Sequence, residues 1–170
     1  MRDWVVGGAV IESALLGAGA GGSGVLLVEN RRRGGETDWT TPGGVIDPGE
    51  EVLDGLTREV REETGLEVLR WGGMLYEIVA EAPGLGWRLR VEVHRAAAVA
   101  GELSVGDDPD GIVIGAEWAD DVRCVEYLGG SHQWVREPLL EWLDERFAEP
   151  RSFRYRIEGE RLSELLCVRT

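Results

Sequence analysis

Gly44–Leu66 reads GVIDPGEEVLDGLTREVREETGL, and its spacing decides the fold around it. From Glu50 onward, Val52, Leu53, Leu56 and Val60 recur at helical intervals, which gives a helix an apolar stripe to bury. Glu59, Glu62 and Glu63 are spaced so that their carboxylates share one face of that helix. Like charges crowded on one face repel, so a surface helix gains nothing from them. A hard divalent cation reverses the balance: Mg²⁺ and Mn²⁺ take oxygen ligands, and Mg²⁺ commonly combines one or two carboxylates with substrate phosphate oxygens. Gly65 suits a left-handed helix end and closes the helix before Leu66.

Gly44, Glu50 six residues on, Arg58-Glu59-Val60-Arg61-Glu62-Glu63 and the closing Gly65-Leu66 fill every fixed position of a known pattern. The stretch resembles the Nudix box, GX5EX7REUXEEXGU, in which U is a bulky aliphatic residue. The resemblance implies Glu59 and Glu63 as direct metal ligands, with Glu62 either a ligand or a group that orients water, and it makes Glu62 and Glu63 the catalytic acids of the box. Glu50 and Arg58 are expected to pair, bracing the loop against the helix and orienting the ligands, which leaves Glu50 outside direct ligation. Trp39-Thr40-Thr41-Pro42-Gly43-Gly44 resembles the family's approach to the box, where Gly44 and its neighbour permit an unusual turn beside the substrate. Asp54-Gly55 departs from the small-residue pair usual in mid-helix. Gly55 there is expected to cost about 1 kcal/mol relative to alanine and to touch no ligand.

The implied fold belongs to the α/β class: a Nudix-type α/β/α sandwich with a mixed central sheet and a C-terminal β-hairpin-like extension. Residues 1–149 form the Nudix domain in this reading, and residues 150–170 pack on it or extend it. Val5 to Ile11, Gly73 to Ala82, Trp87 to Ala100 and Ile112 to Trp118 read as strands. Leu139, Leu140, Leu143 and Phe147 mark a second helix between His132 and Glu149, with its regular part starting near Pro138 because proline suits a first turn. Phe153, Tyr155 and Ile157 alternate with Arg154 and Arg156, and Glu158-Gly159-Glu160 can turn that strand into a hairpin with Leu162 to Val168. Two roles stand open for this tail, pairing with a partner subunit in a homodimer or capping the site.

A net charge of −14 and a pI near 4.6 argue against a nucleic-acid polymer or an anionic membrane as partner. They leave small phosphorylated substrates open, because bound cations reverse the local field. All 18 basic residues are arginine. Cys124 and Cys167 lie in no motif and read as free thiols in a reducing compartment. Asp3 and Glu12 interrupt any signal-peptide core, so the chain reads as cytoplasmic. Gly17 to Gly24 contains two overlapping GxGxxG matches, but strand-like Val25-Leu26-Leu27-Val28 follows where a dinucleotide fold needs a helix, so a connection between strands is the reading.

Outside the box, Arg31 and Arg33 in the run Arg31-Arg32-Arg33 are candidates to hold a pyrophosphate, against a bland alternative of exposed arginines at a strand end. Trp39 is a candidate for stacking on a base, as are Trp87 and Trp118, between which the sequence does not choose, against core or rim packing. Glu117, just before Trp118, resembles the further downstream acid that some family members use, and a plain strand-end carboxylate is its equal rival. Asp107, Asp108 and Asp110 compete for a base role against ordinary turn chemistry, with Glu92 a weaker candidate. His94 and His132 lack metal-ligand spacing.

The function implied is Mg²⁺-dependent hydrolysis, with Mn²⁺ as a substitute, of the diphosphate linkage in a nucleoside diphosphate joined to another moiety. A catalytically silent nucleotide sensor of the same fold is the rival, and the intact acid set argues against it. The isomerase branch of the fold uses a cysteine upstream of the box, whereas both cysteines here lie downstream.

Overall fold

Alternation of side chains along the first strand separates two cores. In the computed structural model, which describes residues 1–106 and 108–170, β1 (Arg2–Val10) ends by sending Ala9 into one core and Val10 into the other, with Ile11 rejoining Ala9. The next strands are β2 (Val25–Arg31), β3 (Thr37–Thr40), β4 (Gly43–Val45), β5 (Glu67–Ala82) and β6 (Trp87–Ala100). They are followed by β7 (Val113–Ala119), β8 (Arg151–Glu158) and β9 (Leu166–Arg169). The larger sheet runs β4-β1-β6-β5-β8-β9, with β1/β6 and β5/β8 parallel and the other pairs antiparallel. An antiparallel sheet, β3-β2-β7, stands beside it. The glycine-rich connection between β1 and β2 forms two short 3-10 turns.

Helix α1 (Val52–Thr64) packs Leu56 and Val60, both fully buried, against Ala9, Ile11, Leu26 and Val68. Leu53, in the first turn, is exposed; Thr64 takes a buried place and returns its hydroxyl to the Val60 carbonyl at 2.7 Å. Gly65 adopts the left-handed conformation (φ 74°) and its N–H donates to the Arg61 carbonyl, closing the helix as its sequence position anticipates. On the other side of the sheet, α2 (Asp121–Leu128) and α3 (Gln133–Glu145) bury Cys124, Leu128, Leu139 and Trp142 with Val10, Leu27, Tyr76, Ile78 and Phe153. The mixed sheet between helices is therefore the α/β/α arrangement that the box implies.

Helices α2 and α3 differ from the sequence reading. Helix α2 was not anticipated, although Asp120 caps it by accepting from the Arg123 N–H at 2.9 Å and Gly129-Gly130 follows it. Pro138 does not open α3 but sits inside it; its buried ring joins the face of Leu139, Trp142 and Leu143, and this packing outweighs the missing N–H. The C-terminal hairpin forms: β8 pairs in parallel with β5 and antiparallel with β9, burying Phe153, Tyr155 and Ile157. Among the described residues, no helix is long and apolar enough to cross a membrane.

Candidate active site

A cleft of about 870 Å³ opens where β1, β4, α1 and the loop before β7 meet the β5–β6 face and the start of α3. Glu59, Glu62 and Glu63 of α1 line it together with Gly43, Gly44, Asp108 and Asp110. Helical spacing brings the three acids to one side, and buried Leu56 and Val60 on the adjoining face hold the helix in the core.

Glu63 is the most deeply set of the acids at 5% exposure. Its Oε1 accepts the Gly43 backbone N–H at 2.7 Å, tying α1 to β4. Burial pushes its carboxyl up to about 8, and the neighbouring charges of Glu59, Asp108 and Glu62 add to the rise against the lowering effect of the Gly43 bond. Burial also raises Glu59, while Arg58 opposes the rise.

Arg58 organises the rest. Its Nε and Nη2 bond Glu50 Oε2 and Oε1 at 3.1 and 3.0 Å, and its Nη1 reaches Glu59 Oε1 at 2.9 Å and Glu62 Oε2 at 3.4 Å. Hydrogen bonding to Arg58 holds the Glu50 carboxyl below its usual range. Both Glu50 oxygens are thus engaged by the arginine, and Glu50 Oε1 also accepts from the Asp47 N–H at 3.2 Å.

The glycines make room for these carboxylates. A Cβ on Gly44 would lie 2.6 Å from Glu59 Cδ, and one on Gly43 would strike the Gly7 carbonyl at 1.9 Å. Gly55 has a packing role of its own. A Cβ on it would meet Glu50 Oε1 at 2.5 Å and Ile46 Cδ1 at 2.9 Å, so it is the seat of the Glu50 carboxylate and not merely a weak point of the helix.

The donor set is oxygen-only and partly desolvated, which suits Mg²⁺ or Mn²⁺. As placed, with Glu63 turned to Gly43 and the other two toward Arg58, no group of three or more acidic, histidine or cysteine side chains among the described residues is already gathered around one ion position. Mg²⁺ needs few protein ligands beside phosphate and water, so this arrangement fits it.

The other candidate residues are dispersed. Arg31 and Arg33 do not line the cleft, whereas Arg32 and Asn30 do. Asn30 lies in β2 and Arg32 just past its end. Trp39 stacks on Tyr127 with centroids 4.5 Å apart, away from the cleft lining. Glu117 accepts from the Tyr127 hydroxyl at 2.6 Å and faces a separate surface hollow with Arg123 and Gly22. Glu92 bonds Arg90 and His94 on the sheet face opposite Val91 and Val93, which line the cleft. Asp108 accepts from the Asp110, Ile112 and Val113 N–H groups, which is turn chemistry. Asp110 lines the cleft, and its charge contributes to the raised Glu59 carboxyl. Asp107 lies outside the described residues. Sequence reasoning named Arg32 only within the arginine run and gave no role to Asn30, which strand alternation counted from Val25 could have indicated, or to the His132–Trp134 ring pair at the start of α3, for which no local signal exists.

The NUDIX domain model matches residues 13–143, and the chain belongs to that family. The human 8-oxo-dGDP phosphatase NUDT18 is 43% identical over 132 residues, covering 68% of this chain and 38% of the human protein. An uncharacterized Nudix hydrolase of Bacillus subtilis (strain 168), YvcI, is 47% identical over 45 residues, covering 26% of this chain and 27% of YvcI. The matched regions thus span well under two thirds of these curated relatives. Among solved structures, the E. coli ORF135 protein shares the fold with a TM-score of 0.65 at 21% identity, covering 88% of this chain and 96% of that one. The family resemblance carried by Gly44–Leu66 is borne out.

Proposed function

We propose that the chain is a Nudix pyrophosphohydrolase that uses Mg²⁺, with Mn²⁺ as a substitute, to cleave the diphosphate linkage of a nucleoside diphosphate derivative. The observation that carries this reading is the placement of Glu63: a carboxylate 5% exposed, bonded to the Gly43 amide, at the floor of a cleft lined by Glu59 and Glu62. Such a group is costly to bury as an anion unless a cation accompanies it.

Glu59 and Glu63 are the proposed direct ligands, and Glu62 either joins them or orients the attacking water. A divalent ion bound there supplies Lewis-acid stabilisation of charge on the diphosphate. Arg58 holds Glu59 and Glu62 in position and is itself fixed by Glu50. Gly43 and Gly44 keep side chains out of the space beside the acids. The name of the human relative makes oxidised deoxyguanosine diphosphate a substrate to test here. The test is a turnover screen with Mg²⁺ or Mn²⁺ over deoxynucleoside di- and triphosphates and their 8-oxo forms, ADP-ribose, diadenosine polyphosphates and nucleotide sugars. Metal-dependent release of phosphorylated products from at least one class is expected. Binding without turnover across the panel favours a silent sensor.

A further inference from the structure

Asn30 is 5% exposed, yet it lines the cleft. Its Nδ2 donates to Asp38 Oδ1 at 3.1 Å and to Thr40 Oγ1 at 2.9 Å, which uses both amide hydrogens. Asp38 is gripped in turn by Arg32, whose Nε and Nη2 bond its two oxygens at 2.9 Å each. A carboxylate held by a guanidinium fork accepts and does not donate, so the nitrogen of Asn30, not its oxygen, must face Asp38. The amide is locked in one orientation. Its Oδ1 has no hydrogen-bond partner among the described residues.

The surroundings of Asn30 suit a flat ring. His132 and Trp134 stack with centroids 4.2 Å apart and planes 8° from parallel, and both line the cleft with Ile78 and Leu139. Burial lowers the His132 pKa, so this wall is uncharged at neutral pH. Apolar walls with one fixed polar group are how a small-molecule site sets orientation and specificity.

We infer that Asn30 is the specificity-determining residue of the cleft, its amide oxygen locked as an acceptor that selects a heteroaromatic ring with an N–H donor on the facing edge. The inference rests on the proposal that the cleft takes nucleotides and adds which rings it favours. A ring with a bare nitrogen at that position sets acceptor against acceptor and leaves Asn30 Oδ1 buried without a partner. A site built to hydrogen-bond a substrate N–H discriminates strongly against an analogue that lacks it.

The test measures binding of nucleoside monophosphates to the full chain by calorimetry, so that it does not depend on turnover. Two pairs are compared: 8-oxo-dGMP with dGMP, which differ by N–H or bare nitrogen at ring position 7, and dGMP with dAMP, which differ in the same way at position 1. The wild-type chain is expected to bind the N–H member of at least one pair about tenfold more tightly or better. In Asn30→Leu that preference is expected to fall to within about twofold, through weaker binding of the N–H member. Asp38→Asn keeps Asn30 but frees its amide to turn over; it is expected to narrow the same preference, and it carries the test should Asn30→Leu fail to fold. No preference in the wild-type chain, or a preference that survives Asp38→Asn, overturns the inference. Hydrolysis of the corresponding diphosphates is scored separately: hydrolysis without ring preference removes the role of Asn30 and leaves the hydrolase standing, and ring preference without hydrolysis does the reverse.

Discussion

Arg58 grips both oxygens of Glu50, at 3.1 and 3.0 Å, while its remaining terminal nitrogen reaches Glu59 at 2.9 Å. One planar fork thus ties the loop before α1 to the acid face of the helix. Lysine cannot reproduce two parallel bonds plus a third contact. Arg58→Lys is expected to lower turnover by about 10- to 100-fold, the range seen when groups that orient metal ligands are lost, and to cost roughly 1–3 kcal/mol in stability. Steady-state kinetics and urea unfolding check both. Unchanged turnover would remove Arg58 from the organising role.

Gly43 and Gly44 should behave differently although they are neighbours. The nearest atoms to a Cβ on Gly44 are those of the Glu59 carboxylate, the end of a flexible side chain, whereas one on Gly43 meets the Gly7 backbone in a positive-φ conformation (φ 152°). Gly44→Ala is therefore expected to keep the wild-type melting temperature and lose about tenfold or more in turnover as Glu59 is displaced. Gly43→Ala is expected to unfold the chain or lower its stability by several kcal/mol. Thermal melts beside activity assays separate the two.

The helix interior at Gly55 offers a test against propensity alone. A solvent-facing glycine replaced by alanine stabilises a helix by about 1 kcal/mol. Here the new methyl meets Glu50 Oε1 and Ile46 Cδ1 inside 3 Å, so Gly55→Ala is expected to give no gain or a net loss, together with reduced turnover. A stabilised and fully active variant would contradict the account of the Glu50 seat.

Glu63 should contribute less stability to the metal-free chain as pH rises through the neutral range. Glu63 sits at about 8 in the folded state, against about 4.3 for an unfolded glutamate. The folded state therefore holds a proton that the unfolded state releases. This stabilisation is in place at about pH 4 and below and is lost progressively as pH climbs from there toward 8. Glu63→Gln removes the titration. In chelator-treated protein, its stability relative to wild type should increase from pH 5 to pH 8, by an amount on the order of a few kcal/mol. A constant difference across that range would contradict the burial of an acid at this position.

Much of this architecture is legible in the sequence, and the reasons differ by element. The box could be read because helical period, a terminal glycine and crowded carboxylates are all local, and α1 with Gly65 appears as they require. The strands from β5 to β8 followed from alternation and turn residues. What escaped depends on tertiary context. Pro138 lies inside α3 because its ring packs against the core. Arg32, past the end of β2 and held by Asp38 of β3, lines the cleft where Arg31 and Arg33 do not, and Trp39 faces Tyr127, which belongs to the unanticipated α2. Glu117 parts from the acids of α1 because β7 presents it to the far side of the smaller sheet.

The C-terminal hairpin is expected to be part of the folding unit. Phe153, Tyr155 and Ile157 are each at most 2% exposed, and the Tyr155 hydroxyl donates to Glu137 of α3 at 3.0 Å. Losing three such side chains costs roughly 2–5 kcal/mol each, against a total stability of about 5–15 kcal/mol for a typical domain. A chain cut after Pro150 should therefore lack a cooperative thermal transition. A sharp wild-type-like melt would show that the hairpin is dispensable.

Turnover by Glu63→Gln, at saturating Mg²⁺ and on whichever diphosphate the screen identifies, tests the central claim most directly. The glutamine oxygen can still accept from the Gly43 N–H, so the fold should remain intact by circular dichroism and melting. Metal-dependent hydrolysis is expected to fall by roughly a hundredfold or more. A folded variant that hydrolyses the substrate at the wild-type rate would contradict the placement of the catalytic metal at the acids of α1.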